Sequence, residues 1–419
     1  MSDGGNAGLD GGSFTEVTSK SWFERIKESL IAILIGIVLV AGSTGLLFWN
    51  EGRSAKTATA LSEGAAVVVG VASDRVDPAE EGRLIHIAGD TSVGADVRDP
   101  DFGFGVDTLR LLRTVEMYQW TEDVDYETQK KIGGGEETVT RYSYRKEWFD
   151  HAVSSASFRY ASEHRNPPMP SVASRSFYPK DARLGGFRLT DRIIAMLPGR
   201  ETFAVPDTVQ PQAVATMGPG ARLAQGGVYV GANPDQPVIG DARISWQILP
   251  ITPISVVGRQ AQGTITPWMA SNGNEVMLVE AGVVDPALMF QHGQESNRIL
   301  SWALRAGGVL IMFAGFRVML SLFSVLADVV PFLGSIVGAG AMLVALFCTM
   351  VCAPIVIAIA WLIYRPVVGA AVLVVGAVIA YGLSHLMKRR AAEKRRQSGG
   401  FLDNGLSLPP QGQPEGWRL

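Results

Sequence analysis

The chain has 419 residues, of which 47% are hydrophobic and 18% are charged, and its formal net charge is −3 at pH 7. This balance excludes a strongly basic nucleic-acid-binding protein and a strongly acidic one. Both cysteines, Cys348 and Cys352, lie one helical turn apart in an apolar segment, so no disulfide is expected in the rest of the chain. No histidine lies in that segment and two thiolates leave a zinc site incomplete, so we expect no metal and no cofactor.

Apolar segments at the two ends of the chain predict membrane-spanning helices, because each approaches the ~20 apolar residues that cross ~30 Å of hydrocarbon. The predicted spans cover residues 30–48, 303–326, 342–364 and 366–387. The segments around them are predicted to be a disordered cytoplasmic tail at 1–29, a β-rich extracytoplasmic domain at 49–302, a cytoplasmic or interfacial connection at 327–341, and a basic, then disordered, cytoplasmic tail at 388–419.

The flanking charges predict the orientation. Lys20, Arg25 and Lys27 precede the first span, and a run of lysines and arginines from 388 to 396 follows the last. Basic flanks stay in the cytoplasm, so both ends lie inside and the number of spans is even. The first apolar run is too long for a signal-peptide core, which favours an uncleaved anchor.

The region between the first two spans has the alternation and turn residues of β-structure. Strands are predicted at 65–71, 82–87, 109–120, 138–149, 242–249 and 254–259, with a glycine loop at 133–135. One helix is predicted near 190–196, inside an irregular, proline-rich stretch at 164–219 that could divide two β lobes. Whether the region is one domain or two stays open.

Several short strings make the sequence recognisable. They are Asn50-Glu51-Gly52-Arg53, Glu81-Gly82-Arg83-Leu84, Glu116-Met117-Tyr118-Gln119-Trp120, Thr140-Arg141-Tyr142-Ser143-Tyr144, Gly240-Asp241, Arg259-Gln260, Ser296-Asn297, Leu304-Arg305-Ala306 and Tyr364-Arg365-Pro366. On these residues the chain resembles the LUMA family (transmembrane protein 43), over roughly 21–387. The resemblance implies a multi-span protein that in animals lies in the inner nuclear membrane and endoplasmic reticulum. It also implies self-association, a role in organising membrane complexes with lamins and emerin, and no established catalytic activity.

The spans are rich in Ala, Gly and Val, which would suit a bacterial member. We therefore expect the bacterial cytoplasmic membrane with a periplasmic domain, or the nuclear envelope and endoplasmic reticulum if the source is eukaryotic. A bacterium has no lamina, so the nuclear partners are not expected to carry over.

Catalytic signatures are absent from the sequence: there is no nucleophile elbow, paired-histidine zinc motif or phosphate-binding glycine loop. Arg317 is the most unusual residue, because charge at membrane depth is expensive. It begins a polar stripe with Ser321, Ser324 and Asp328. Arg317 could snorkel to phosphates, line a polar crevice, or lie where the helix has left the bilayer.

We therefore predict a non-enzymatic membrane scaffold with α-helical spans and a large β-rich extracytoplasmic domain. Its partners would be the bilayer, further copies of the chain and other membrane proteins. The alternative is a lipid-acting enzyme or transport component that uses Arg305 and Arg317. The motif and interface candidates are Asn50, Glu51, Gly52, Arg53, Glu116, Tyr118, Trp120, Arg305, Arg317, Gly338, Arg365 and Pro366.

Overall fold

A computed structural model describes residues 12–205, 209, 217, 220–367 and, further on, 369–371, 374, 376, 378, 381–382, 384–385 and 387. It confirms the predicted class, a membrane protein with long apolar helices and a large β-rich region. The chain forms two compact units, residues 1–351 and 352–419. The helices are α1 (Trp22–Val67), α2 (Asp191–Met196), α3 (Pro286–Ala327) and α4 (Pro331–Tyr364).

The strands follow in chain order: β1 (Ser13–Lys20), β2 (Val69–Gly70), β3 (Leu84–Gly89), β4 (Thr91–Val93), β5 (Val97–Asp99), β6 (Phe104–Val106), β7 (Arg110–Lys130), β8 (Glu136–Phe149), β9 (Arg175–Phe177), β10 (Ala182–Leu184), β11 (Phe187–Leu189), β12 (Glu201–Phe203), β13 (Ala221–Ala224), β14 (Gly227–Val230), β15 (Ala242–Leu249), β16 (Ile254–Ala261), β17 (Thr264–Thr266), β18 (Trp268–Met269), β19 (Glu275–Val276) and β20 (Leu278–Ala281).

Helices α1 and α3 are much longer than the spans predicted within them. α1 has 46 residues, about 69 Å at 1.5 Å per residue. Ser21 caps its first turn by accepting a hydrogen bond from the Glu24 amide. α3 has 42 residues and begins with Pro286 after the capping Asp285. Each helix therefore leaves its apolar segment without a break and continues into the β-rich region.

The ends of these helices differ from the sequence-based boundaries. Residues 65–67 were predicted as strand but form the last turn of α1, since the Val68 amide donates to the Gly64 carbonyl. Residues 331–341 were predicted to be a surface connection but belong to α4, because Pro331 is followed by helix-compatible apolar residues up to Tyr364. Three helices in the described part of the chain are long and apolar enough to span a membrane. Much of the predicted fourth span, 366–387, lies outside the described residues.

The described part of the β-rich region contains two eight-stranded sheets and two small two-stranded sheets, β5-β6 and β18-β19. The first has the order β1-β8-β7-β15-β14-β13, with β12 beside β15 and β9 beside β7. The second has the order β2-β3-β16-β17-β11-β10-β4, with β20 beside β16. Both sheets take strands from either side of the irregular stretch 164–219, so that stretch does not divide two lobes as the sequence suggested. Long-range pairing of β7 with β15 and β3 with β16 decides the architecture.

The buried side chains follow the alternation of the strands. In β7, Leu111, Val115 and Met117 are buried on one face, as a period of two requires. Leu111 and Val115 pack with Trp246 and Phe102 in one core cluster. A second cluster joins Leu84 and Val257 of the second sheet to Leu61 of α1 and to Met289 and Phe290 of α3. The hydrophobic effect, through the burial of these side chains, therefore attaches both long helices to the second sheet.

The N-terminal segment differs most from expectation. Residues 13–20 were predicted to be part of a disordered tail, but they form β1, which pairs antiparallel with β8 from Ser13↔Ser143 to Lys20↔Glu136. Val17 and the alternating polar residues around it supply a strand pattern. β7 and β8 are joined by the glycine loop at 133–135, as predicted, and with β1 they form a three-stranded ribbon.

Candidate functional site

Glycines allow α1 and α3 to pack closely along their apolar parts. The two helices run antiparallel, with Gly36 opposite Gly315 and Leu47 opposite Gly308. A Cβ atom at Gly36 would lie 2.7 Å from the Gly315 carbonyl oxygen, and one at Gly308 would lie 2.6 Å from Leu47 Cδ2. Small residues at a membrane helix crossing permit this approach of the backbones.

Six polar side chains interlock where the two apolar segments end. We call them the Glu51 cluster: Asn50, Glu51, Arg53, Asn297, Ser301 and Arg305. Arg305 donates two hydrogen bonds to Glu51, from Nε to Oε1 at 2.6 Å and from Nη2 to Oε2 at 2.8 Å. The Glu51 side chain is only 1% exposed. This bidentate geometry is the strong form of a charge-assisted pair.

The remaining groups of the Glu51 cluster tie the same two helices together. Arg53 Nη1 donates to Asn297 Oδ1 at 3.0 Å, and its Nη2 donates to Ser301 Oγ at 2.9 Å. Asn297 Nδ2 donates to the Ser54 carbonyl at 3.0 Å. Asn50 Nδ2 donates to the Ser301 carbonyl at 3.1 Å. Two of the motif strings, around Glu51 and Asn297, thus meet in one contact.

Tryptophans mark the level of the Glu51 cluster. Trp49 and Trp302 are 56% and 61% exposed, and Arg305 lies 4.8 Å from the Trp302 ring centre. Exposed tryptophans at the end of an apolar segment are typical of the membrane–water interface. The cluster therefore lies at the boundary between the apolar segment and the β-rich region.

A second set of charges joins the opposite ends of α1 and α3 to the β7–β8 hairpin. This Asp328 cluster consists of Arg25, Lys130, Glu136 and Asp328. Asp328 is buried and accepts from Arg25 Nη2 at 2.6 Å and from Lys130 Nζ at 2.7 Å. Arg25 Nε lies 3.0 Å from Glu136 Oε2. Arg25 was predicted only as part of the positive flank of the first span, and its ion pair with Asp328 was not predicted.

Backbone groups at the loop complete the contact. Arg25 Nη1 donates to the Gly134 carbonyl at 2.6 Å, and the Gly133 amide donates to the Val329 carbonyl at 3.1 Å. Gly134 has φ +83°, and a Cβ there would lie 2.4 Å from Trp22 Cδ1. Glycine is therefore required at this position both for its backbone conformation and for the approach of Trp22.

These contacts correct the predicted topology. Paired strands lie about 4.8 Å apart, so a bilayer cannot separate β1 from β8. Residues 12–29 and the whole of 49–302 therefore cannot lie on opposite sides, because the hairpin tip lies with the first turn of α1. The three-stranded ribbon and the α1–α3 pair both extend from the β-rich region to the Asp328 cluster.

The ribbon is too polar to lie against lipid. From Glu51 to Arg25 α1 rises about 39 Å, and β7 extends about 43 Å from Met117 to Lys130. Beyond Trp120, β7 carries Glu122, Asp123, Asp125 and Glu127. Non-helical backbone at membrane depth is tolerated only against protein or water. If the apolar pair crosses a bilayer, the ribbon must be shielded from hydrocarbon.

The predicted face of Glu116, Tyr118 and Trp120 makes packing contacts within the first sheet. Glu116 accepts from Arg243 Nε at 2.7 Å, and the Tyr118 ring lies 5.2 Å from that of Trp148. Trp120 is held edge-on against His164 at 4.8 Å. These contacts account for the three side chains as packing within the β-rich region, and none of the three belongs to either cluster.

The remaining candidates are dispersed. Arg317 is exposed in the middle of α3, apart from the two clusters. A Cβ at Gly338 would lie 3.0 Å from Ser324 Oγ, so the close contact at Gly338 lies within one chain. In the second unit, the Arg365 amide donates to the Trp361 carbonyl at 2.8 Å and helix resumes at Pro366.

No metal centre is formed by the described residues, among which no three His, Cys, Asp or Glu side chains converge. Arg305, one of the two arginines of the alternative enzymatic hypothesis, is bound to Glu51. The geometry can lock helices together, but it presents no acid–base pair or activated nucleophile in this cluster.

Comparison with known proteins identifies the relatives of this fold. The sequence profile of the transmembrane protein 43 family matches residues 117–366. The chain belongs to the transmembrane protein 43 family. Transmembrane protein 43 of Rattus norvegicus is 30% identical over 359 residues, covering 82% of this chain and 87% of the relative. Transmembrane protein 43 of Mus musculus is 29% identical over 84% of this chain and 90% of the relative.

The homologue of transmembrane protein 43 from Drosophila melanogaster is 27% identical over 84% of this chain and 94% of the relative. No solved structure matches the chain. Family membership and the three apolar helices identify an integral membrane protein.

Proposed function

We propose that this member of the transmembrane protein 43 family is a non-enzymatic scaffold that self-associates and organises other proteins in its membrane. The observation that carries the proposal is the continuous, doubly locked α1–α3 pair. Both helices run unbroken from the apolar segment into the second sheet, and the Glu51 and Asp328 clusters join them at the two ends of their apolar segments. A rigid connection of this kind transmits the position of membrane helices to the β-rich region.

The polar ribbon supports self-association. It needs protein or water beside it wherever α1 and α3 lie in hydrocarbon. Neighbouring copies can supply that surrounding, because a ring of subunits excludes lipid from its interior. Exposed aliphatic side chains elsewhere on the helices, such as Ile37 of α1 and Leu310 of α3, would then face the bilayer.

Glycines that are not used inside the chain support a contact between copies. A Cβ at Gly42 or Gly45 of α1 would meet nothing within 4 Å, and Ala41 lies one turn from Gly45 on the same exposed side. This small-residue face permits close approach of a second helix. Gly36, in contrast, already packs against Gly315 and Met319 of α3 and is not open to a second copy.

We place the protein in the cytoplasmic membrane of a bacterium, with most of the β-rich region in the periplasm. The Ala-, Gly- and Val-rich spans and the basic flanks support this location. Because β1 pairs with β8, the hairpin tip shares the side of the first turn of α1.

The test is the mass of the full chain in lipid nanodiscs and its cross-links in native membranes. We expect an oligomer, with cross-links between copies and to other membrane proteins. Gly45→Leu should lower the mass, because its side chain obstructs the helix contact. Gly307→Leu, in α3 where a Cβ would likewise meet nothing within 4 Å, should leave the mass unchanged. Equal masses for both variants would remove the Gly45 face from the interface.

A further inference from the structure

A groove opens beside the Glu51 cluster at the level of the interfacial tryptophans. It has a volume of about 580 Å³ and lies between α1, α3 and β20. Arg53 and Leu300 line the end near the apolar segment, while Leu61 and Met289 line the end eight or more residues further into the β-rich region. The volume falls within the range of about 300–1,000 Å³ typical of small-molecule sites.

The charge of the groove is unbalanced at Arg53. Glu275 pairs with Arg192 at 2.9 Å, and Glu280 lies 3.0 Å from His292, which is charged only when it is protonated. The guanidinium of Arg53 donates to the neutral acceptors Asn297, Ser301 and Asn50. The carboxylate whose charge acts on Arg53 is that of Glu51, and it already accepts two hydrogen bonds from Arg305. Two arginines therefore share one carboxylate at this end of the groove, and Arg53 brings the surplus positive charge.

The apolar lining continues the membrane surface into the groove. Leu300 is 47% exposed and Met196 is 43% exposed, and both line the opening. Trp49 and Trp302 place Arg53 about one helical turn beyond the interface, where phospholipid phosphates lie. The flexible side chain of Met196 can adapt to an irregular apolar ligand.

From this charge and continuity we propose that the groove binds a phospholipid, with the phosphate on Arg53 and one acyl chain along the exposed side chains of Leu300 and Met196. A phosphate oxygen would accept from Arg53, and the arginine fork matches phosphate geometry. The apolar chain would cover surface otherwise exposed to water. This inference goes beyond the proposed scaffold and does not depend on it.

The experiment uses the full chain, delipidated and transferred to detergent, and counts bound lipids by native mass spectrometry. Three probes separate the contributions: phosphatidylglycerol, a diacylglycerol with the same chains, and glycerol phosphate. We expect one tightly held phosphatidylglycerol, with at least tenfold weaker binding of the other two. Equal retention of diacylglycerol would overturn the role of phosphate, and equal retention of glycerol phosphate would overturn the role of the acyl chain.

Variants locate the site. Arg53→Gln should weaken phosphatidylglycerol binding by about tenfold, the order of one charge-assisted hydrogen bond. Ser296→Trp should do the same by filling the groove, because Ser296 lines it and is exposed. Glu295→Trp, on the adjacent exposed position outside the groove, is the matched control and should bind like the parent.

Ser296→Trp keeps the test decisive if Arg53→Gln weakens folding. A photoreactive group at the end of the acyl chain should label the peptide that contains Met196, which lines the groove. Unchanged binding by Ser296→Trp, or labelling confined to the exposed apolar helix faces, would contradict the proposal.

Discussion

Replacing Glu51 by Gln removes the carboxylate from a pair in which both side chains are largely buried, Glu51 at 1% and Arg305 at 15% exposure. Breaking a buried pair costs about 3–5 kcal/mol, because one charge is left without its partner. The amide still accepts one hydrogen bond, so we expect about 3 kcal/mol for Glu51→Gln. Arg305→Met leaves the more deeply buried charge and should cost at least as much.

The double variant, Glu51→Gln with Arg305→Met, removes both charges and should be closer to the parent than either single variant. We expect a coupling free energy of about 2 kcal/mol or more. The assay is thermal unfolding of the full chain in nanodiscs, followed by tryptophan fluorescence. At about 2–4 °C per kcal/mol, Glu51→Gln should lower Tm by about 6–12 °C.

Glu116→Gln is the matched control. Glu116 forms a similar pair with Arg243, but the side chains are 22% and 45% exposed. Such a pair contributes about 0–1 kcal/mol. Additive effects at Glu51 and Arg305, or a loss at Glu51 no larger than at Glu116, would refute the assignment of a helix lock to the Glu51 cluster.

Three further predictions follow from the ribbon. Asp328→Asn should release the hairpin tip and raise the rate of its amide hydrogen exchange, because Arg25 and Lys130 lose a buried partner. Glu28→Gln, in an exposed pair with Lys20, should leave that rate unchanged. Equal exchange rates in both variants would argue against a role of the Asp328 cluster in holding the tip. Single cysteines at the exposed Ser19, which pairs with Glu137 beside the hairpin tip, and at the exposed Ile132 should react with an impermeant thiol reagent from the same side of sealed vesicles. Labelling from opposite sides would contradict the β1–β8 pairing. Burial and the hydrogen bond to Glu122 raise the pKa of Tyr144 to about 12. Since the folded pKa exceeds the unfolded value of about 10, this contribution to stability is complete below pH 10 and is lost between about pH 10 and 12. Tyr144→Phe should therefore reduce the pH dependence of the free energy of unfolding in that window, and an unchanged pH profile would contradict this.

Local pattern predicted much of the fold. Residues 242–249 alternate in burial and form β15 with the predicted bounds, and Thr190 caps α2 where a helix was expected. The predicted apolar segments 30–48 and 303–326 lie inside α1 and α3, because side-chain hydrophobicity alone is enough to locate them in the sequence. The continuation of both helices into the β-rich region was not predicted, because it depends on tertiary packing of Leu61 against Met289 and Phe290.

The clusters were only partly visible in the sequence. Glu51 and Arg305 were singled out as motif residues, but a motif does not say which groups meet. Glu51 follows the predicted span 30–48 by three residues and Arg305 lies in the first turn of 303–326; this position near the ends of two apolar segments is the signal that could have paired them. Asp328 contacts Arg25 and Lys130 across about 200–300 residues of sequence, and only the strand register brings the hairpin tip to that place.

The mass of the unmodified full chain in lipid nanodiscs tests the central claim most directly. A scaffold whose polar ribbon is shielded by neighbouring copies should give a mass of several chains at all protein concentrations that preserve the fold. Asp328→Asn should reduce this mass, because a released ribbon no longer holds its place between subunits. A monomeric parent with α1 and α3 in the bilayer would contradict the account.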